Sequence, residues 1–124
     1  MTGRKLRIPD ASHPIAIERD GASVVVHKDA TVIARTRSAL TLSEASYPPA
    51  QYIPQGDFDM SLLERSAHTT YCRYKGEANY YSIRFLGEAG LNAVWTYEAP
   101  FEAVGENAGH LAFYPDRVLI EVGE

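Results

Sequence analysis

The chain is poor in sulfur, with one cysteine and two methionines among 124 residues. A single thiol allows no internal disulfide and excludes a thiolate-rich zinc site within one chain. An unpaired cysteine fits a reducing compartment, so a cytoplasmic protein is expected. No stretch approaches the roughly 20 apolar residues that a membrane-spanning helix needs, so no membrane association is expected. Met1 to Arg7 carries charge with no apolar segment behind it, which argues against a secretory signal. Positive charge is also in deficit. Twelve Lys and Arg stand against 16 Asp and Glu, giving a net charge of −4 and a pI near 5.5. That balance speaks against electrostatic capture of nucleic acid, which needs a positive field along a groove. A phosphate-cradling glycine loop is missing too: Lys75-Gly76 reverses the P-loop order, and no serine sits in a glycine-flanked elbow. No repeat, low-complexity tract or linker divides the chain. Its length fits one domain over residues 1–124, whose core needs neither metal nor disulfide.

What the chain does have is tyrosine, eight in all, and short segments with strand patterning. Residues 1–14 contain two prolines and no period, and read as an extended leader. Pro14 to Glu18 alternates like a half-buried strand. Ala22–His27 and Thr31–Arg35 form a hairpin around Lys28-Asp29-Ala30, rich in β-branched residues. Ala39–Leu42 reads as a strand or as one helical turn capped by Ser38. Tyr47-Pro48-Pro49 forces extended backbone. Gln51-Tyr52-Ile53, between prolines, is expected as an edge strand or linker. Asp57 or Asp59 is placed to cap a short helix over Phe58–Arg65. Beyond it the chain reads as a meander: strands around Thr69–Cys72, Tyr80–Phe85, Ala93–Tyr97 and His110–Tyr114, a helical turn at Phe101–Glu106, and Val118–Val122 closing the sheet.

The chemistry-bearing side chains concentrate between Thr69 and Ser82. Cys72 and Lys75 flank a tight loop ended by Gly76, and an adjacent lysine favours the thiolate form of a cysteine. Against this stands the ordinary role of free cysteine as a small buried apolar group. Lys75 is the stronger candidate, because a cation flanked by Tyr74, Tyr80 and Tyr81 suits an anionic or carbonyl-bearing ligand. Tyr52, Tyr71, Tyr80, Trp95, Tyr97 and Phe113 divide between core and an apolar cleft with polar tips, with Trp95 and Tyr97 the leading cleft members. His13, His27, His68 and His110 are scattered, with no ligand spacing, so no metal site is assigned. Asp57 and Asp59 have the spacing of a magnesium-holding pair if they lie on a strand, but Gly56 before them and Leu62-Leu63 after them suggest a helix start.

The runs Leu42-Ser43-Glu44-Ala45-Ser46-Tyr47-Pro48-Pro49, Tyr52-Ile53-Pro54, Thr70-Tyr71-Cys72-Arg73-Tyr74-Lys75-Gly76-Glu77-Ala78, Trp95-Thr96-Tyr97 and Gly109 to Tyr114 together resemble the bacterial family called domain of unknown function 427, also labelled nucleotidyltransferase-like. The resemblance covers nearly everything from Pro14 onward. It implies a mainly β fold of two antiparallel sheets with one or two short helices, similar to the β-tent domains of methionine sulfoxide reductase B and the Mss-four-like proteins, with a pocket between the sheets. It places Glu44, Cys72, Lys75, Gly76, Trp95 and Tyr97 at motif positions. Arg73 stands where proline is usual and Ser38 where arginine is common, and the zinc cysteines of the tent-like relatives are absent.

The expected function is binding of a small anionic or carbonyl-bearing ligand beside the Cys72–Gly76 loop, through Glu44, Tyr52, Cys72, Lys75, Tyr80, Trp95 and Tyr97. The alternatives are an enzyme using Cys72 or Lys75, magnesium-dependent nucleotidyl transfer at Asp57 and Asp59, and an interaction module, monomeric or homodimeric, whose free edge lies near Tyr52. No cofactor is assigned.

Overall fold

In the computed structural model, which describes residues 8–19 and 21–123, period-2 segments become ten strands in two antiparallel sheets. The smaller sheet has three strands. β2 (Ser23–Lys28) and β3 (Thr31–Thr36) form the expected hairpin, with Asp29 and Ala30 both at positive φ, as a two-residue hairpin loop requires. Its third strand, β10 (Leu119–Gly123), pairs with β2.

The larger sheet has seven strands. β1 (Ile15–Glu18), β4 (Leu40–Glu44) and β5 (Ala50–Pro54) form one side, and β6 (Leu63–Cys72), β7 (Gly76–Ile83), β8 (Val94–Thr96) and β9 (His110–Phe113) form the other. The order is β1-β4-β5-β9-β8-β7-β6. The expected meander is present as β6 to β9, and the link that joins the halves is the pairing of Ile53 with Leu111.

Alternation along these strands feeds two clusters, because successive side chains point to opposite faces. Ile53, Ile83, Val94, Leu111 and Phe113 pack with Val24, Val26, Ile33 and Phe58. Their chain neighbours Tyr52, Tyr80 and Ala112 pack instead with Leu40, Leu42, Tyr97 and Val104. The large sheet is therefore apolar on both faces, and its central strands carry few polar residues.

Several segments depart from the expectations. Gln51-Tyr52-Ile53 is no edge: β5 is paired on both sides, by β4 and β9, and Tyr52 is buried. Pro48 and Pro49 precede the strand and Pro54 is its last residue, so none removes a hydrogen bond from the middle of the ladder. The interaction edge proposed near Tyr52 is thereby removed. Phe58–Arg65 is not one helix. Two 3-10 turns, Gln55–Asp57 and Met60–Leu62, lead into β6, and Leu63 already pairs with Ile83. So short a helical pattern is marginal alone, and pairing with β7 prevails. Asp59 does cap, accepting from the Ser61 backbone N–H. β7 stops at Ile83, and 84–90 forms a 3-10 segment kinked at Gly87, so Phe85 faces outward. Val118–Val122 does not close the meander but joins the hairpin as β10. The turn expected at Arg19-Asp20-Gly21 includes a residue outside those described, as do the first seven of the leader.

The end of the 84–90 segment lies so close to β7 that a Cβ on Gly90 would stand 2.3 Å from the Ile83 carbonyl oxygen. Gly90→Ala is expected to destabilise the fold by about 2–3 kcal/mol, as overpacking against backbone does. Urea denaturation at unchanged m-value measures this, and an unaltered midpoint would contradict the close approach.

A cleft beside an enclosed ion pair

The β6–β7 hairpin turn, Arg73 to Lys75, is pinned from two sides. The Lys75 backbone N–H donates to the Cys72 carbonyl at 3.3 Å, and the Phe101 N–H donates to the Lys75 carbonyl at 3.0 Å. Gly76 stands at φ +110, a conformation that strains any side chain-bearing residue, and a Cβ there would meet the Ala99 oxygen only at an ordinary 3.6 Å, so backbone shape rather than space calls for glycine. Lys75 is thereby aimed at the end of β4, where its Nζ donates to Glu44 Oε1 at 2.6 Å. The two side chains are 12% and 13% exposed.

The other carboxylate oxygen is also engaged. His13 Nε2 lies 2.7 Å from Glu44 Oε2, and its ring stacks on Tyr74 with centroids 3.9 Å apart. A tight turn sets His13 in place: Asp10 Oδ1 accepts from the Ser12 backbone and hydroxyl and from the His13 N–H. Beside the pair, the Lys75 ammonium stands 5.6 Å from the centre of the Tyr97 ring, within cation–π range.

Ionisation follows from these contacts. Burial pushes the Glu44 carboxyl upward, but hydrogen bonds from Lys75 and His13 more than offset it, so the group titrates below its ordinary 4.5. For Lys75 burial works against the charge, while the fields of Tyr52 and Glu44 and the Glu44 hydrogen bond raise its pKa above 10.5. Tyr52 is itself raised by burial and is a neutral phenol at pH 7, so Glu44 is the operative counter-charge. Tyr97 is likewise pushed up, first by burial.

Next to the pair opens a cleft of about 590 Å³, within the size range of small-molecule sites. Leu42, Glu44, Tyr52, Lys75 and Trp95 contribute from the large sheet and its hairpin turn, Tyr47 to Pro49 from the β4–β5 loop, and Ile120 and Val122 from β10. The Trp95 indole N–H donates to the Tyr52 hydroxyl at 2.9 Å, and the Trp95 ring meets Tyr114 at 4.6 Å between centroids. Tyr114 is held up to about 12, first by burial and then by Tyr80. The walls are thus mostly apolar and aromatic, and Lys75, Glu44 and Gln51 are the strongly polar side chains among them.

Of the residues expected at a site, Glu44, Tyr52, Lys75 and Trp95 line this one cleft. Cys72, Tyr80 and Tyr97 stand behind it, in or against the second core cluster. Tyr80 reaches Thr70 at 3.0 Å and Tyr114 at 3.4 Å through its hydroxyl. The Lys75 charge is directed to Glu44 rather than to the Cys72 thiol. Asp57 accepts from the Thr36 hydroxyl at 2.6 Å and Asp59 from Ser61, so both acids serve turns. Among the described residues no group of three or more His, Cys, Asp or Glu is arranged to hold a metal ion. The sequence reading missed His13, set aside among the scattered histidines. It also treated Tyr47-Pro48-Pro49 only as a break, although three rigid, partly apolar residues in a loop are apt wall material.

The family described as domain of unknown function (DUF427) matches the chain over residues 16–124. No curated protein matches it.

Removing one member of the enclosed pair leaves the other buried without its partner. Lys75→Met is therefore expected to cost about 3 kcal/mol at neutral pH, the lower end for a broken buried pair. The sign with pH follows from linkage. Glu44, with its folded pKa depressed, contributes stability that is present above 4.5 and lost as pH falls through the lower folded value. Lys75, with its folded pKa raised, contributes stability that is present below 10.5 and lost as pH rises through the higher folded value. The difference between wild type and Lys75→Met, read from denaturant midpoints, should shrink as pH falls through the lowered Glu44 value and as it rises through the raised Lys75 value. A difference that grew on acidification below pH 4.5 would contradict the ionised pair.

Proposed function

The chain belongs to the DUF427 family, whose description assigns no activity, and we propose from the cleft itself that the protein binds a small, flat, largely apolar ligand carrying one carbonyl-type oxygen. What supports this reading most is that Lys75, paired with Glu44, and Tyr52 line a cleft whose other walls, Gln51 apart, are aromatic, proline and aliphatic side chains. Such a site takes an apolar body by burial and fixes its orientation with a few polar groups. An ammonium has three protons. One goes to Glu44, and those remaining, with the Tyr52 hydroxyl proton, are suited to a ligand oxygen. Because Glu44 already balances the Lys75 charge, an uncharged carbonyl suits this pair better than the fully anionic group that the lysine alone suggests.

The same balance disfavours covalent chemistry through Lys75. A lysine nucleophile needs its pKa lowered, and this one is raised. Cys72 packs toward the second core cluster, which is the setting of a structural thiol. The reading is therefore binding, with no group-transfer step.

Thermal-shift screening against uncharged aromatic amides and ketones, and against aromatic carboxylates, tests the cleft. A ligand at a hundred times its Kd stabilises the folded state by about 2.7 kcal/mol, readable as several degrees in Tm. The shift is expected to vanish in Trp95→Ala and to fall in Lys75→Met. Equal shifts in all three proteins would remove the cleft as the site.

A further inference from the structure

His13 lies outside the residues matched to the family and does not line the cleft, yet it reaches the far oxygen of Glu44, the carboxylate paired with the cleft's lysine. Each Glu44 oxygen has one cationic or potentially cationic neighbour, Lys75 on Oε1 and His13 on Oε2. An ionised carboxylate only accepts hydrogen bonds, so the imidazole nitrogen facing it, Nε2, carries a proton even in the neutral ring. Further protonation falls on Nδ1. While His13 is neutral, Lys75 and Glu44 cancel. Once it is charged, the same three groups carry one net positive charge at the edge of a mostly apolar cleft.

We propose that His13 is the specificity-determining residue of this site: neutral, it leaves the cleft selective for an uncharged carbonyl ligand, and protonated, it admits the corresponding carboxylate. The inference rests on the cleft being a ligand site. Among the described residues, the groups around His13 come from three places. Glu44 lies on β4, Tyr74 and Lys75 on the hairpin turn, and Asp10 within its own turn, where its carboxylate already accepts from Ser12 and from the His13 backbone. Tyr52 and Tyr97 border the lysine as neutral phenols. Histidine is the one side-chain type in this cluster whose ordinary charge change falls between about pH 5 and pH 8. His13 acts through Glu44 and Lys75, so its role is to position and bias their charge rather than to cover the ligand's body.

The test uses the chain's single tryptophan, Trp95, as a reporter inside the cleft. Phenylacetate and its uncharged isostere phenylacetamide are titrated against Trp95 emission at several pH values. Phenylacetate stays ionised throughout, since carboxylic acids titrate at about pH 4. From pH 8 to pH 5.5 its affinity should rise about tenfold, the effect of one added charge roughly 10 Å away, beyond Glu44, at an effective dielectric of about 25, while phenylacetamide changes little. His13→Gln keeps a donor for Glu44 and cannot gain charge, so the pH dependence should disappear with phenylacetamide affinity retained. Calorimetry of the wild type in buffers of different ionisation heat supplies a second measurement that needs no variant: phenylacetate should take up protons on binding at about pH 6.5, and phenylacetamide should not. A pH dependence that survives His13→Gln, or binding of phenylacetate without proton uptake, overturns the role of His13 and leaves the cleft reading standing. No response of Trp95 to either probe at any pH overturns both.

Discussion

Taking an ammonium and a carboxylate out of water is costly. At Lys75 and Glu44 the cost is offset because the two meet directly and other polar or aromatic groups close round them. The contact joins the β6–β7 turn to the end of β4, which are neighbours in space only because β5 and β9 hold the two halves of the large sheet together. The turn itself is clamped by Phe101 above and Cys72 below. Position, charge state and orientation of the cleft's charged groups all follow from this one contact. The aromatic walls take their places independently, from the alternation of β5, β8 and β9.

That alternation has a second effect. A sheet apolar on both faces must be covered on both. The three-stranded sheet covers one, and the segment carrying Tyr97 and Val104 lies in the cluster on the other. The cleft opens where neither cover is complete, between the loop after Glu44 and the outer strand β10. Trp95 sits at that margin, its indole N–H satisfied by Tyr52, so an amphipathic ring is stable half in and half out of the interior.

Much of this was legible in the chain beforehand. The valine-rich hairpin and the meander follow from period-2 patterning, and the residue types at one turn drew attention to Lys75. The mainly β class follows too, while the two antiparallel sheets were implied by the family resemblance. What was not legible is contact between distant segments. The pairing of β10 with β2 and of β5 with β9 depends on tertiary packing, which local pattern does not encode. Tyr52 looked like an edge because prolines flank it, and prolines mark strand ends as readily as sheet edges. The stretch after Asp57 looked helical over one short window, and strand pairing overrode it. His13 was invisible because a lone histidine in an irregular leader has no pattern. The pairing of Ile15 with Glu44 and the Asp10 turn, both three-dimensional features, bring it to Glu44.

One strand invites a different thought. β6 is long and lies at the margin of the large sheet, with its outer backbone unpaired within that sheet. Such a strand is a template for stacking one molecule on another. Its register with β7, however, slips between Arg65 and Thr69, and a bulge bends and twists a strand locally. A second chain laid along β6 could follow only a few residues before losing alignment. The irregularity that complicates this hairpin therefore also works against edge-to-edge stacking of one copy on the next.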